Sequence, residues 1–160
     1  MIVICYDGSA DADAAVDAVA ALMPSQAVTL LTVWEPFLEV VTRFGPGLEM
    51  WPSDIDHQQI DAAAENAAKD LVEEGAQRAR QAGLDARGVT VPRGATIAET
   101  IIGEAREQSA GLIVIGTRGL TGVKSMMLGS VSHAVLQHAD RPVLIVPSAE
   151  VAAKRQAHGS

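Results

Sequence analysis

Cysteine is nearly absent, with Cys5 the only one in 160 residues. A single thiol excludes an internal disulfide and offers no metal-ligand spacing. Aromatic residues make up 3% of the chain, so aliphatic side chains and alanine must fill the core. Basic residues are the minority, 12 Lys and Arg against 20 Asp and Glu, giving a formal net charge of -8 and a pI near 4.8. That balance supplies no basic stripe and argues against a nucleic-acid surface. No apolar run approaches the length of a membrane span. No charged n-region precedes the first apolar segment, so no secretory signal is visible. The sequence therefore predicts a soluble cytoplasmic protein. No internal repeat stands out.

Carboxylates are missing from one window. The chain is acidic, yet no Asp or Glu occurs between Glu107 and Asp140, where Arg118, Lys124, His133 and His138 stand. Inside that window lies Gly116-Thr-Arg-Gly119-Leu-Thr-Gly-Val-Lys-Ser-Met-Met-Leu-Gly129-Ser130. It follows the apolar run Leu112 to Ile115 and precedes a helix expected to begin near Val131. Strand, glycine-rich loop and helix start are the parts of a phosphate-binding loop. Glycines permit φ > 0 and a close approach to a ligand. N–H groups at a helix start, with the dipole behind them, favour an anion, and a carboxylate-free window spares one. Ser130 is the expected N-cap, and its hydroxyl could also reach a phosphate oxygen. The plain alternative is an ordinary strand-to-helix turn, because spaced glycines alone are weak signals.

Length and a 48% hydrophobic content predict one domain with a full core. Ile2 to Tyr6 reads as the first strand, buried on both faces. Asp7-Gly8-Ser9 ends it. A helix follows from Ala10 to Met23, with Ala15, Val16, Val19, Ala20 and Met23 at helical spacing, stopped by Pro24. Val28 to Trp34 is the second strand. Residues 35–56 form a long connection holding Phe37, Phe44 and Trp51, either a flap over the sheet edge or a lid facing a ligand. The second helix spans His57 to Ala82 on a stripe of Ile60, Ala64, Ala67 and Leu71, with Gly83 as its C-terminal cap. The third strand is Asp85 to Val91, and Pro92 to Ala95 a turn. The third helix is Thr96 to Gln108, burying Ile97, Ile101 and Ile102. The fourth strand is Leu112 to Ile115, the last helix Val131 to His138, and the fifth strand Val143 to Val146. Residues 148–160 read as a flexible tail.

Alternating strands and helices imply a parallel sheet with helices on both faces. Right-handed crossovers restrict the topology. If the second and third strands lie to one side of the first, the fourth lies to the other, in the order 3-2-1-4-5. Ligands sit where such an order reverses, beyond the carboxyl ends of the strands. That places Asp7 beside the glycine loop. A carboxylate there accepts hydrogen bonds from ribose hydroxyls or an adenine amino group; otherwise it caps the first helix, a task open to Ser9 as well. The fifth strand is apolar on both faces yet falls at the sheet edge, which invites pairing with a second copy through residues 142–147.

Gly116-x-x-Gly119, nine residues, then Gly129-Ser130 resembles the nucleotide-binding pattern of the universal stress protein family, in its ATP-binding branch. Asp7-Gly8-Ser9 and Pro142 to Pro147 resemble the same family, so the likeness spans residues 1–147. It implies a nucleotide-binding domain with the 3-2-1-4-5 order and a dimer through the fifth strand. Gly116, Gly119, Gly129 and Ser130 match the phosphate motif. Val33 matches an apolar position that contacts adenine, and is otherwise a core valine. Ile115 would line the adenine slot. Val131 and Ser132 match positions that add phosphate and metal-shell contacts. Arg118 and Lys124 would screen a triphosphate, or stay solvated; the family gives them no firm role. Cys5 and Tyr6 stand where small residues or proline are commoner, and a bulky Tyr6 there would narrow the adenine side of the crevice.

No G-x-x-x-x-G-K-[ST] loop occurs, which excludes a Walker-type NTPase. No Ser-Gly-Gly-x-Asp pattern marks an ATP pyrophosphatase. No acidic pair stands beside the glycine loop in sequence to activate water or hold Mg²⁺. The expected function is a regulatory module that binds ATP, with or without Mg²⁺, and presents that state to an unknown protein partner. No residue is assigned a catalytic role or a metal. Two alternatives stay open: a slow ATPase or nucleotidyl-transfer enzyme on the same fold, and a dimeric interaction protein whose site is empty.

Overall fold

The computed structural model describes residues 1–43, 56–119 and 128–158. Its centre is strand β1 (Ile2–Cys5), flanked by β2 (Ala27–Trp34) and β4 (Leu112–Gly116). Strand β3 (Asp85–Pro92) pairs with β2, and β5 (Val143–Val146) with β4, so the order is β3-β2-β1-β4-β5, all parallel. The expected five-stranded sheet of order 3-2-1-4-5 is the observed one. Val3 and Ile4 of β1 are both 0% exposed, as a parallel sheet covered on both faces requires.

The strand alternation splits the core into two layers. Ile2, Ile4 and Tyr6 point to the side of α1 (Ala10–Leu22) and α3 (His57–Gln81). Val3, Cys5, Leu31, Val33 and Ile115 point to the side of α4 (Ile97–Glu107) and α5 (Ser130–His138). Side-chain caps start the long helices. Ser9 Oγ accepts from Ala12 N (3.2 Å), Thr96 Oγ1 from Glu99 N (3.1 Å), and Asp56 from Gln58 N and Gln59 N (3.1 and 3.2 Å). Each satisfies donors that a helix start leaves open.

Five expectations are corrected. The 35–56 connection contains a helix, α2 (Phe37–Arg43), whose Phe37 N–H donates to Asp61 Oδ1 of α3 (2.7 Å); Phe44 and Trp51 lie outside the described residues. The buried stripe of α3 is Ala68, Val72, Gly75, Ala76 and Ala79, while Ile60 is 38% exposed. Small residues win because the helix lies tight on the sheet: a Cβ on Gly75 would stand 2.7 Å from the Tyr6 ring. Tyr6 is thereby held on the α1/α3 side, its hydroxyl donating to Asp13 Oδ1 (3.0 Å), and it does not narrow the crevice on the other face. Helix α5 begins at Ser130, not Val131, and its N-cap is Gly129, not Ser130. Residues read as a flexible tail form α6 (Ala149–His158). Ser148 Oγ accepts from Val151 N (3.4 Å) at its start, and Val151 is buried; one apolar anchor and a serine cap order what composition alone marks as polar.

Candidate functional site

The strand order reverses between β1 and β4, and their carboxyl ends carry Asp7 and Gly116 to Gly119. Asp7 Oδ1 accepts from Ser9 N (3.0 Å), closing a tight turn in which Gly8 has φ +75. Only glycine takes that φ without strain. Ser9, not Asp7, caps α1. The second Asp7 oxygen faces the loop: a Cβ on Gly119 would stand 2.6 Å from Asp7 Oδ2. The juxtaposition of Asp7 with the glycine loop, expected from topology, is present.

The three motif glycines within the described residues are held by contact and not by dihedral, since none has a positive φ. A Cβ on Gly116 would meet Asp11 Cβ at 2.7 Å and the Asp11 carbonyl carbon at 2.9 Å. A Cβ on Gly129 would meet Thr117 O at 3.2 Å. Gly129 N donates to that same carbonyl (2.8 Å), so the start of α5 is stitched to the stem of the loop. The expectation of φ > 0 is corrected at these positions: Gly116 lies too close to the α1 backbone for a side chain, while Gly119 and Gly129 stand in tight contact with the Asp7 carboxylate and Thr117 O. Residues 120–127, Lys124 among them, lie outside the described residues.

The stem is organised by a residue that no sequence motif marks. Asp11, 5% exposed in the first turn of α1, accepts from the Thr117 hydroxyl and from Arg118 N (3.0 Å), and its other oxygen accepts from Ser148 N (3.2 Å). Burial pushes its carboxyl up, but the hydrogen bonds from Ser148, Thr117 and Arg118 outweigh burial and hold it below the ordinary value. One carboxylate thus ties α1, the loop stem and the entry to α6. Nothing in sequence separates Asp11 from Asp13, which also lies in the first turn. The carboxylate-free window is likewise a property of sequence alone, since Asp7, Asp11 and Glu150 reach the loop stem from elsewhere. Arg118 and Glu150 attract one another, and both line a cavity of about 450 Å³ with Ser9, Ser148 and Lys154.

Other expected residues separate by role. Ser132 is buried, and its hydroxyl donates to Gly116 O (2.7 Å), so that oxygen is committed to the fold. Ser130 is exposed and Val131 half-buried at the first turn of α5, where no side chain among the described residues caps the helix. Val33 and Ile115 share the α4/α5 face with Cys5 and Val131. Burial, with the Asp7 carboxylate adding to it, pushes the Cys5 thiol up to about 12, so it is a neutral apolar group. A second cavity, about 250 Å³, opens on this face between the starts of α4 and α5, lined by Ile97, Ala98, Val131 and Ala134 and rimmed by Glu35, Arg43 and Arg93. Among the described residues no cluster of three His, Cys, Asp or Glu is placed to hold a metal ion, and no helix is long and apolar enough to cross a membrane.

A doubly wound α/β domain with a carboxylate and a glycine-rich helix start at its switch point is the class that this geometry defines. The model of the universal stress protein family matches residues 1–147, and the chain belongs to that family. Universal stress protein YxiE of Bacillus subtilis is 42% identical over 76 residues, 48% of this chain and 50% of that protein. The chain spans about half or less of the length of the curated relatives it matches. Protein MJ0577 superposes with a TM-score of 0.71 at 23% identity, covering 91% of this chain and 94% of that one. A universal stress protein in complex with cAMP superposes with a TM-score of 0.61 at 23% identity, covering 92% and 96%.

Proposed function

We propose that the chain is an ATP-binding universal stress protein, a cytoplasmic homodimer whose nucleotide-bound state is read by a protein partner as a regulatory signal. The observation that carries this reading is the Asp7 carboxylate facing Gly119 across the β1/β4 reversal, beside an α5 start that no side chain among the described residues caps. The nucleoside lies on the α4/α5 face against Val33, Ile115 and Val131. Asp7 accepts from the ribose hydroxyls. The phosphates lie along Gly119, Gly129, Ser130 and the backbone N–H groups of Val131 and Ser132, where the helix dipole favours them. Arg118 screens their charge, and any Mg²⁺ would arrive bound to the triphosphate, since no cluster of three His, Cys, Asp or Glu among the described residues is placed to hold it. The solved relative that holds cAMP supports an adenine nucleotide as the ligand class. The site is read as binding, without turnover. Asp11, the buried carboxylate at the stem, is held down in pKa by three donors and makes a poor general base.

Calorimetric titration tests the reading. Asp7→Ala, which removes charge-assisted hydrogen bonds, is expected to weaken ATP binding by roughly tenfold to a hundredfold. A variant that binds ATP as the parent does would refute the assignment of Asp7.

The dimer has its own test. The Pro142 carbonyl just before β5 accepts from Ile113 N of β4 (3.0 Å), and the Val146 carbonyl of β5 accepts from Thr117 N just past β4 (2.9 Å). By the alternation of a parallel ladder, the Val143 and Ile145 N–H groups face outward. Ile145→Pro deletes an outward donor, leaves the β4 ladder intact, and is expected to shift the protein to monomer in light scattering. A parent that is itself monomeric at micromolar concentration would sink the proposed interface.

A further inference from the structure

We propose that Arg43, Glu35 and Arg93 form a counter-ion gate, in which Glu35 holds two arginines in the empty protein and an anionic phosphate group of the bound nucleotide takes its place. This rests on the nucleotide-binding reading and adds residues that neither the family motif nor the sequence pattern points to.

Glu35 Oε1 accepts from Arg43 Nη2 (2.8 Å) and from Arg93 Nη1 (3.0 Å), so two guanidinium groups share one carboxylate oxygen. The trio keeps one net positive charge in a chain of formal charge -8. It stands on the rim of the 250 Å³ cavity, whose wall includes Ser130 and Val131, the first residues of α5, and Thr96, the N-cap of α4. Two helix starts and two arginines thus meet at one cavity with an apolar floor of Ile97, Ala98 and Ala134. That combination of an apolar slot and a cationic rim fits a nucleotide better than it fits a neutral ligand.

Arg93 is held in place independently of Glu35. Its backbone N–H donates to Trp34 O (2.7 Å), and its Nη2 donates to Ala95 O (3.3 Å). Its side chain is only 17% exposed, and its Nε is buried with no hydrogen-bond partner among the described residues. A buried guanidinium donor without an acceptor is costly, and a phosphate oxygen is an acceptor of the right charge and planar reach. Arg43 is 48% exposed and supplies the adaptable half of the pair. Glu35, on the segment between β2 and α2, competes with the ligand for both.

The test is calorimetry on the full chain with four probes: ATP, AMP, adenosine and inorganic tripolyphosphate, each at low and high salt. Glu35→Gln removes the competing charge and is expected to tighten ATP binding about tenfold, with the gain shrinking at high salt and adenosine affinity unchanged. Arg93→Met is expected to weaken ATP by about tenfold with adenosine again unchanged. Arg43→Gln, at an exposed position that leaves folding intact, is expected to weaken ATP less than Arg93→Met does. AMP should respond least among the phosphorylated probes if the gate grips the outer phosphates. Glu35→Gln and Arg43→Gln both within twofold of a parent that binds ATP would overturn the gate alone. Equal changes for adenosine and ATP would overturn it too, because the arginines would then be packing the base. A parent that binds tripolyphosphate, more tightly after Glu35→Gln, but not ATP, would uphold the gate and overturn the nucleotide reading. A parent that binds none of the four probes would overturn both.

Discussion

Asp11→Ala is expected to lower folding stability by about 3 kcal/mol and to abolish nucleotide binding together with the docking of α6. The substitution leaves the Thr117 hydroxyl, Arg118 N and Ser148 N without the acceptor they share. Each stranded donor costs roughly 1–3 kcal/mol, offset where water enters the space the carboxylate leaves. Urea unfolding measures the total, and limited proteolysis of α6 measures its release. Asp11→Asn is a sharper control. It keeps the shape and one acceptor but turns an amide donor toward donors, so it should recover only part of the loss. Acid supplies an independent check. The folded-state pKa of Asp11 lies below the ordinary carboxyl value of 3.8, so its contribution is complete above about pH 4 and fades as pH falls through the depressed value. The stability gap between parent and Asp11→Ala should therefore be widest near neutral pH and narrow below pH 4. A gap that stays constant across that range would mean that the carboxylate charge does not hold the stem.

Asp11 also marks where sequence reading stops. Asp11, Asp13 and Asp17 lie on one helix and look alike in sequence. In the fold, Asp13 and Asp17 face α3, where Arg78 lies 3.7 and 2.7 Å from them, while Asp11 turns beneath the loop stem. The difference is set by which face of α1 meets the end of β4, a tertiary fact without a local signature. What was legible has a local cause. The apolar runs of β1, β4 and β5, the proline after α1 and the glycine after α3 each fix an element by their own chemistry, and right-handed crossovers then fix the order. Asp7 follows from that order alone. Hidden from view were contacts made by residues far apart in the chain: Glu35 with Arg93, Ser148 with Asp11, and the small-residue face of α3 against Tyr6. The last of these shifts the buried face of α3 away from Ile60, which is exposed, while Leu71 still packs against the core beside the close-packed Ala68, Gly75, Ala76 and Ala79.

The glycines of the motif divide the largest remaining effects. Gly116→Ala is expected to destabilise the domain by about 2–3 kcal/mol. Its methyl group would meet the Cβ, carbonyl carbon and oxygen of Asp11 at 2.7, 2.9 and 3.1 Å. Those atoms belong largely to the backbone of α1, so the helix start must move off β4, and the Asp11 hydrogen bonds move with it. Gly119→Ala meets something softer, the Oδ2 end of the Asp7 side chain at 2.6 Å. Asp7 can rotate away, at the expense of its hydrogen bond to Ser9 N (3.0 Å), and Gly119 has no positive φ for alanine to strain. Stability should fall by less than about 1 kcal/mol, while on the proposed function ATP affinity drops at least tenfold, because the carboxylate is turned away from the proposed ribose position. Thermal unfolding and calorimetric titration of the two variants side by side read both quantities. The expected pattern is crossed: Gly116→Ala melts early, while Gly119→Ala melts almost as the parent does but binds ATP poorly. Should Gly119→Ala retain parental affinity, the carboxylate it displaces would not be the group that holds the nucleoside, and the binding face would have to be sought away from Asp7.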